Sequence, residues 1–180
     1  MIFSITEIIE MIITVLAIGY LAMGIIVGKN YYFGIEDVKK RFLKSAMIVS
    51  PAVIFHEIGH KVAAIATGNI AVYHANYFGL FLGIMAKTIG FPIIFIPAYV
   101  SIQFSNYSKI NHFLISIAGP LVNFLMFIGS SLYLKYKKDI ESDLFEALFI
   151  TKQVNLWLMI FNLLPLPGTD GFQALTSLFS

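Results

Sequence analysis

The class of fold is decided by an uncharged stretch, residues 110–134, which reads INHFLISIAGPLVNFLMFIGSSLYL. It contains no Lys, Arg, Asp or Glu, and it exceeds the roughly 20 residues that an α-helix needs to cross a hydrocarbon core about 30 Å thick. Uncharged runs of similar character occupy residues 11–28, 88–108 and 153–169. The sequence therefore predicts several membrane-spanning segments.

The overall composition gives the same indication. Of the 180 residues, 58% are apolar and only 12% are charged, whereas a soluble domain is typically about a quarter charged. High apolar content and a net charge of only +2 exclude a disordered chain and a nucleic-acid-binding protein, and the lack of cysteine excludes a disulfide scaffold and thiolate ligands. We predict an integral, multi-pass protein of the cell membrane, surrounded by the lipid bilayer and without a nucleic-acid partner.

The charged and helix-breaking residues divide the chain into elements. Glu7 and Glu10 make the flank of the first run acidic, and no small-residue cleavage site follows, so this run is predicted as a spanning helix rather than a cleavable signal peptide. Predicted helices cover about 8–28, 45–67, 110–134 and 145–164, the last ending at a Pro-Leu-Pro break.

The stretch from 69 to 108 is ambiguous. Hydropathy alone would make residues 88–108 a fifth spanning helix, but its glycines, prolines and β-branched residues favour short strands. Strands in lipid must be buried against protein or water. We predict a mainly α, polytopic membrane protein with about four to five transmembrane helices, plus a small membrane-associated β element between the second and third helices, all in one domain of residues 1–180.

The motif His56-Glu57-Ile58-Gly59-His60 lies within the second predicted helix. Residues i and i+4 share a helix face, so His56 and His60 can reach one metal ion, and the adjacent Glu57 can act on a water molecule. Zinc accepts neutral imidazole and activates water near neutral pH. A purely internal hydrogen-bond cluster is the competing interpretation. Metal binding is favoured, because ionisable groups in an apolar helix are costly unless they are paired or coordinated.

A catalytic zinc site needs a third protein ligand and an open position. The residue types that could supply the ligand are found at Asp170, His74, His112 and Glu146. Asp170 is favoured because it follows a proline-induced break, where a polar cavity is expected at membrane depth. It could instead cap the next helix. The alternative for His112 is an interfacial role, and the alternative for His74 is a strand residue satisfied locally.

Two further motifs follow the His-Glu-x-x-His motif along the chain: residues 118–123, AGPLVN, and residues 162–171, NLLPLPGTDG. Together the three motifs resemble those of the site-2 protease family of intramembrane zinc metalloproteases. They occur in the family's order, and the resemblance covers residues 45–172, the expected catalytic core. Only about 40 residues separate the second and third motifs, and the sequence ends ten residues after Asp170. We therefore expect a compact form without a PDZ or regulatory domain, and whether it is a minimal or a truncated member is left open.

The resemblance implies site residues and a function. His56, His60 and Asp170 are expected to hold one zinc ion per chain, Glu57 to be the general base and acid, and Asn123 to hold the substrate carbonyl or oxyanion. The implied activity is hydrolysis of peptide bonds within or near transmembrane segments of membrane-protein substrates, as in regulated intramembrane proteolysis. The family's β element would correspond to residues 69–108, with strands at 77–79 and 96–100.

Two other functions fit part of the pattern. A membrane metal-ion transporter could use the same His and Asp ligands, but it gives Glu57 no specific duty. A catalytically inactive scaffold is the third hypothesis.

The orientation in the membrane is left open, because two indications disagree. The five Lys and Arg residues in 29–44 predict that this segment is cytoplasmic, whereas the resemblance implies that it lies on the opposite side. The sequence makes no prediction of oligomeric state.

Overall fold

The computed structural model describes residues 2–24, 35–90, 96–105 and 108–179. These ranges contain six helices and two strands, in the order α1 Ile5–Ala22, α2 Ile35–Ala66, β1 Ile70–Ala75, α3 Tyr77–Thr88, β2 Ala98–Gln103, α4 Lys109–Tyr136, α5 Ser142–Leu163 and α6 Asp170–Phe179. The strands pair as a small antiparallel sheet. The predicted class, mainly α with a β element between the second and third long helices, is confirmed.

Four helices of the described residues are long and apolar enough to cross a membrane. They are α1, residues 37–66 of α2, α4 and α5. This part of the chain thus contains four candidate transmembrane helices, where four to five were predicted. Large apolar side chains on these helices are mostly exposed, while alanine is the commonest apolar residue of the buried core. Small residues at helix contacts and large residues outside are typical of packing in lipid.

Several predicted boundaries were wrong. Helix α2 begins at Ile35 rather than near 45, and α1 ends at Ala22 rather than near 28, although residues 25–34 lie outside the described ranges. The strand predicted at 77–79 is instead the start of α3, because Asn76 acts as a helix N-cap whose side-chain oxygen accepts from the Gly79 N–H at 3.0 Å. The strand predicted at 96–100 overlaps β2, and residues 91–95 lie outside the described ranges.

Contacts divide the chain into two compact units, one formed by Met1–Ile54 with Tyr73–Tyr99 and the other by Phe55–Val72 with Val100–Ser180. In the first unit α1 packs against α3. It also approaches the first part of α2 closely, since a Cβ on Gly19 would lie 2.8 Å from the Cβ of Ala46. Glycine is therefore required where these two helices meet.

The acidic residues of α1 pair with the backbone of β1. Glu7 accepts from the Tyr73 N–H at 2.7 Å, and Glu10 accepts from the Ala75 N–H at 2.8 Å. Tyr73 and Ala75 are two residues apart, so both N–H groups point to the same edge of the strand. The two carboxylates thus occupy the positions that a neighbouring strand would take on that edge.

In the second unit α4 packs against α5 and α6. The second part of α2 lies close to α4 because residue 59 is glycine: a Cβ there would be 2.9 Å from the Ala118 carbonyl oxygen. A small core next to this contact contains Ala64, Ala71 and Ile115, with Val100 and Ile102 of β2 packed against it. All the residues that the sequence singled out as catalytic groups or favoured metal ligands lie in this unit.

Candidate metal centre

The two histidines of the His-Glu-x-x-His motif meet at one point inside the second unit. His56 and His60 are one turn apart on α2, both are buried, and their Nε2 atoms lie 3.1 Å apart. Glu57, which follows His56, is also buried. The motif therefore presents its imidazoles to the protein interior rather than to the outer surface of the helix.

Asp170 joins these histidines from a distant part of the sequence. Its carboxylate oxygens lie 3.1 Å from His56 Nε2 and 3.3 Å from His60 Nε2. One ligand atom from each of the three residues lies within 4.8 Å of the others. In the part of the chain that the structure describes, this is the only group of three or more such side chains arranged closely enough to share a metal ion.

The turn between α5 and α6 places Asp170. Gly168 has a φ of +92°, a left-handed conformation that glycine adopts without strain. Thr169 caps α6, because its Oγ1 accepts from the Phe172 N–H at 3.3 Å. Thr169 rather than Asp170 thus provides the cap, which leaves the Asp170 side chain directed at the two imidazoles.

Two glycines permit the close approaches on which the site depends. A Cβ on Gly171 would lie 2.6 Å from the Leu163 carbonyl carbon, so only glycine lets α6 start against the end of α5. A Cβ on Gly119 would lie 2.7 Å from His56 Nε2 and would also overlap His60 Nε2. The α4 backbone at Gly119 is therefore one wall of the site.

Both imidazoles are fixed through their other nitrogen. His60 Nδ1 lies 2.7 Å from the Ile115 carbonyl oxygen, and His56 Nδ1 lies 2.6 Å from Asn123 Oδ1. Both partners are acceptors, so each Nδ1 carries the hydrogen, and in a neutral imidazole Nε2 then has only a lone pair. Such second-shell partners typically fix the orientation and tautomer of metal-ligating histidines.

The converging atoms fit a cation. Two Nε2 lone pairs and a carboxylate face one another, and among the described residues the buried Asp170 Oδ2 has no hydrogen-bond donor. Two neutral nitrogens with one carboxylate oxygen are a ligand set that zinc accepts, with a fourth position open.

The other residues considered as third ligands lie elsewhere. His74 Nδ1 is 3.6 Å from Glu10 Oε2, and its ring lies against Tyr99. The ring of His112 packs edge-on against Phe104. Neither histidine belongs to the group around His56, and neither does Glu146.

One polar residue near the site was missed in the sequence. Asn155 of α5 is fully buried, and its Oδ1 accepts from Asn123 Nδ2 at 2.8 Å. The available signal was an amide in the middle of the predicted helix 145–164, since polar side chains in membrane helices often bond across to a neighbouring helix.

Comparisons with known proteins agree with the motifs. Residues 44–137 match the family described as Peptidase family M50. A candidate zinc metalloprotease of Methanocaldococcus jannaschii is 32% identical over 96% of this chain and 85% of its own length. A second candidate zinc metalloprotease, from Bacillus subtilis, is 31% identical over 76% of this chain and 68% of its own length. No solved structure matches significantly.

The match to the family covers more than half of the chain, and the first relative is similar along almost all of it. The resemblance stated from the three motifs is thereby confirmed, as is the prediction of a membrane protein with several spanning helices. The chain belongs to peptidase family M50, the site-2 protease family, and is a membrane metalloprotease.

Proposed function

We propose that this chain is an intramembrane zinc metalloprotease that cleaves peptide bonds within or near transmembrane segments of other membrane proteins, as one domain with its catalytic core at about 45–172. The observation that carries the proposal is the buried set of His56, His60 and Asp170, with Glu57 next to it, on helices of a membrane-spanning member of this family. The same atoms in a soluble setting would support metal binding but not cleavage inside a membrane.

In this proposal His56, His60 and Asp170 hold one zinc ion. A bound zinc would supply a Lewis acid that activates water and polarises a carbonyl. Glu57 is the general base that takes a proton from the attacking water and then, as the acid, gives it to the leaving amine. Its burial beside His56 keeps bulk water away from this exchange.

The expected contact between Asn123 and the substrate oxyanion stays a prediction. Asn123 is fully buried, and its amide is already bonded to His56 and Asn155. Its Nδ2 group has two hydrogens, and one of them goes to Asn155. A direct role in holding the substrate would require the other hydrogen to reach the substrate oxygen, or an exchange of partners during the reaction.

The substrate would bind as an added strand on β2. The far edge of β1 is occupied by the Glu7 and Glu10 carboxylates, and within the described residues the sheet has no third strand. Residues Val100 and Ile102 of β2 pack around Ile115, whose carbonyl accepts from His60. A peptide paired with the outer edge of β2 would thus gain main-chain hydrogen bonds close to the proposed metal ligands.

An α-helical substrate must unwind before its backbone can pair with a strand. Replacing residues of a spanning helix by glycine or proline lowers the cost of unwinding by about 1 and 3 kcal/mol per residue, respectively. We therefore expect a labelled transmembrane peptide with a central Gly-Pro pair to be cleaved faster than a matched peptide with Leu-Leu at that position. The measurement is fragment mass and rate, in detergent and in vesicles, with zinc present.

Glu57→Gln provides the decisive variant because it keeps the size of the side chain and removes the base. We expect it to retain zinc and to lose cleavage by at least about 100-fold, the usual contribution of a positioned acid–base group. Unchanged turnover of the transmembrane peptide by this variant would refute the protease mechanism. Cleavage confined to a soluble, unfolded peptide would refute the intramembrane assignment.

A further inference from the structure

The buried amides of Asn123 and Asn155 form a continuous chain of hydrogen bonds that ends on His56. We propose that Asn155 is a positioning residue: it orients the Asn123 amide, and Asn123 in turn holds His56 in the tautomer that presents Nε2 to the metal. The inference rests on the proposed metal site, but it assigns a role to a residue on α5 that neither ligates nor contacts the substrate.

A backbone carbonyl at one end of this series of hydrogen bonds determines which group donates and which accepts in each bond. Asn155 Nδ2 donates to the Thr151 carbonyl oxygen at 2.8 Å, and a carbonyl can only accept. Asn155 Oδ1 must then face Asn123 and accept from its Nδ2 at 2.8 Å. This leaves Asn123 Oδ1 facing His56 Nδ1 at 2.6 Å, so Nδ1 is the donor and carries the hydrogen.

The two histidines are therefore fixed in equivalent ways. His60 donates directly to a backbone carbonyl, that of Ile115. His56 is connected to a backbone carbonyl, that of Thr151, through two side-chain amides. Without Asn155 the Asn123 amide could rotate by 180° and present its NH₂ group to His56, which would favour the tautomer with hydrogen on Nε2 and hide the lone pair from the metal.

The burial of Asn155 supports a specific role. Helix α5 is largely exposed along its length, and among its described residues only Ile150 and Asn155 are buried. A fully buried amide on such a helix could also serve only to join α5 to α4, since interhelical hydrogen bonds of this kind stabilise helix packing in membranes. The two roles predict different effects on metal affinity.

The test measures zinc affinity of the purified full-length protein by competition with a chelator at neutral pH. Asn155→Leu removes the acceptor at constant size, whereas Asn155→Asp keeps an oxygen that can accept from Asn123. Loss of a direct partner of a ligating histidine weakens metal binding by about 10–100-fold, so we expect this range for Asn123→Leu and about tenfold for Asn155→Leu. Asn155→Asp should stay close to wild type.

A double-mutant cycle separates positioning from packing. If Asn155 acts through Asn123, adding Asn155→Leu to Asn123→Leu should weaken zinc binding no further, because coupled residues give non-additive effects. Ile150→Ala is the packing control: it removes a buried side chain from the same helix and should lower thermal stability without changing zinc affinity. Fully additive effects, or equal losses of affinity for Asn155→Leu and Ile150→Ala, would overturn the proposal.

A second measurement needs no variant that could fail to fold. In metal-free wild-type protein with ¹⁵N-labelled histidine, NMR should find neutral His56 with its hydrogen on Nδ1. Finding the hydrogen on Nε2 would overturn the proposal. Absence of zinc binding by wild-type protein, together with the Nδ1–H tautomer, would instead refute the proposed function and leave the amide chain intact.

Discussion

Replacing Gly119 by alanine tests the geometry of the site without removing any of its functional groups. The added Cβ would lie 2.7 Å from His56 Nε2 and would overlap His60 Nε2. Non-bonded carbon and nitrogen atoms in contact normally lie about 3.5 Å apart, so the imidazoles or the α4 backbone must move by about 1 Å.

The size of the effect follows from this displacement. Zinc–nitrogen distances are held near 2.0–2.1 Å, with a tolerance of about 0.2 Å in a well-formed site. The imidazoles cannot move far without losing the bonds from their Nδ1 atoms to Ile115 and Asn123. We expect zinc affinity to fall by about 10–100-fold and cleavage by about 100-fold even at saturating zinc, as for other 1 Å displacements of reacting groups.

The assay compares Gly119→Ala with Gly129→Ala, which lies on the same helix. A Cβ at Gly129 would meet no atom within 4 Å, and alanine favours helix by up to about 1 kcal/mol over glycine. Gly129→Ala should therefore bind zinc and cleave a transmembrane peptide like the wild type. Wild-type zinc affinity and activity in Gly119→Ala would refute the described packing of α4 against the imidazoles.

Two further predictions concern other parts of the structure. Glu7→Ala removes the acceptor of the buried Tyr73 N–H and part of the capping box of α1. It should lower the unfolding free energy by about 2–4 kcal/mol, measured by thermal unfolding in detergent, and stability equal to that of the wild type would contradict this explanation. Gly171→Ala places a Cβ against the Leu163 carbonyl and should displace Asp170 and reduce bound zinc, whereas zinc content equal to that of wild type would show that α6 can shift without affecting the site.

The sequence was most informative where physical constraints act on single residues. Uncharged runs of near-membrane length predicted α1, α4 and α5, because a segment that crosses lipid must satisfy its own backbone as a helix. Helix α2 was predicted from an apolar stretch that also contains Glu57. Glu57 and Asp170 stood out because charges inside apolar runs are costly. The structure brings Asp170 to His56 and His60, although its role as a ligand stays a prediction.

Features that depend on packing between distant segments were not predictable. Helix α3 was mistaken for part of a sheet because its apolar, glycine-containing residues suit either structure, and the decisive Asn76 cap is a single short side chain. The roles of Asn155 and of Gly119 depend on how α4 meets α5 and α2, which a single sequence does not encode locally. The same holds for the α1 carboxylates that close the edge of β1.

The proposed mechanism depends on His56, His60 and Asp170 together holding one catalytic zinc ion. The most direct measurement is zinc stoichiometry of the purified protein, by elemental analysis, for the wild type and for Asp170→Ala after identical exposure to zinc and dialysis against a weak chelator. We expect one zinc per wild-type chain and a clear loss in the variant, because two imidazoles alone leave the site one ligand short. Full occupancy in Asp170→Ala would contradict this mechanism.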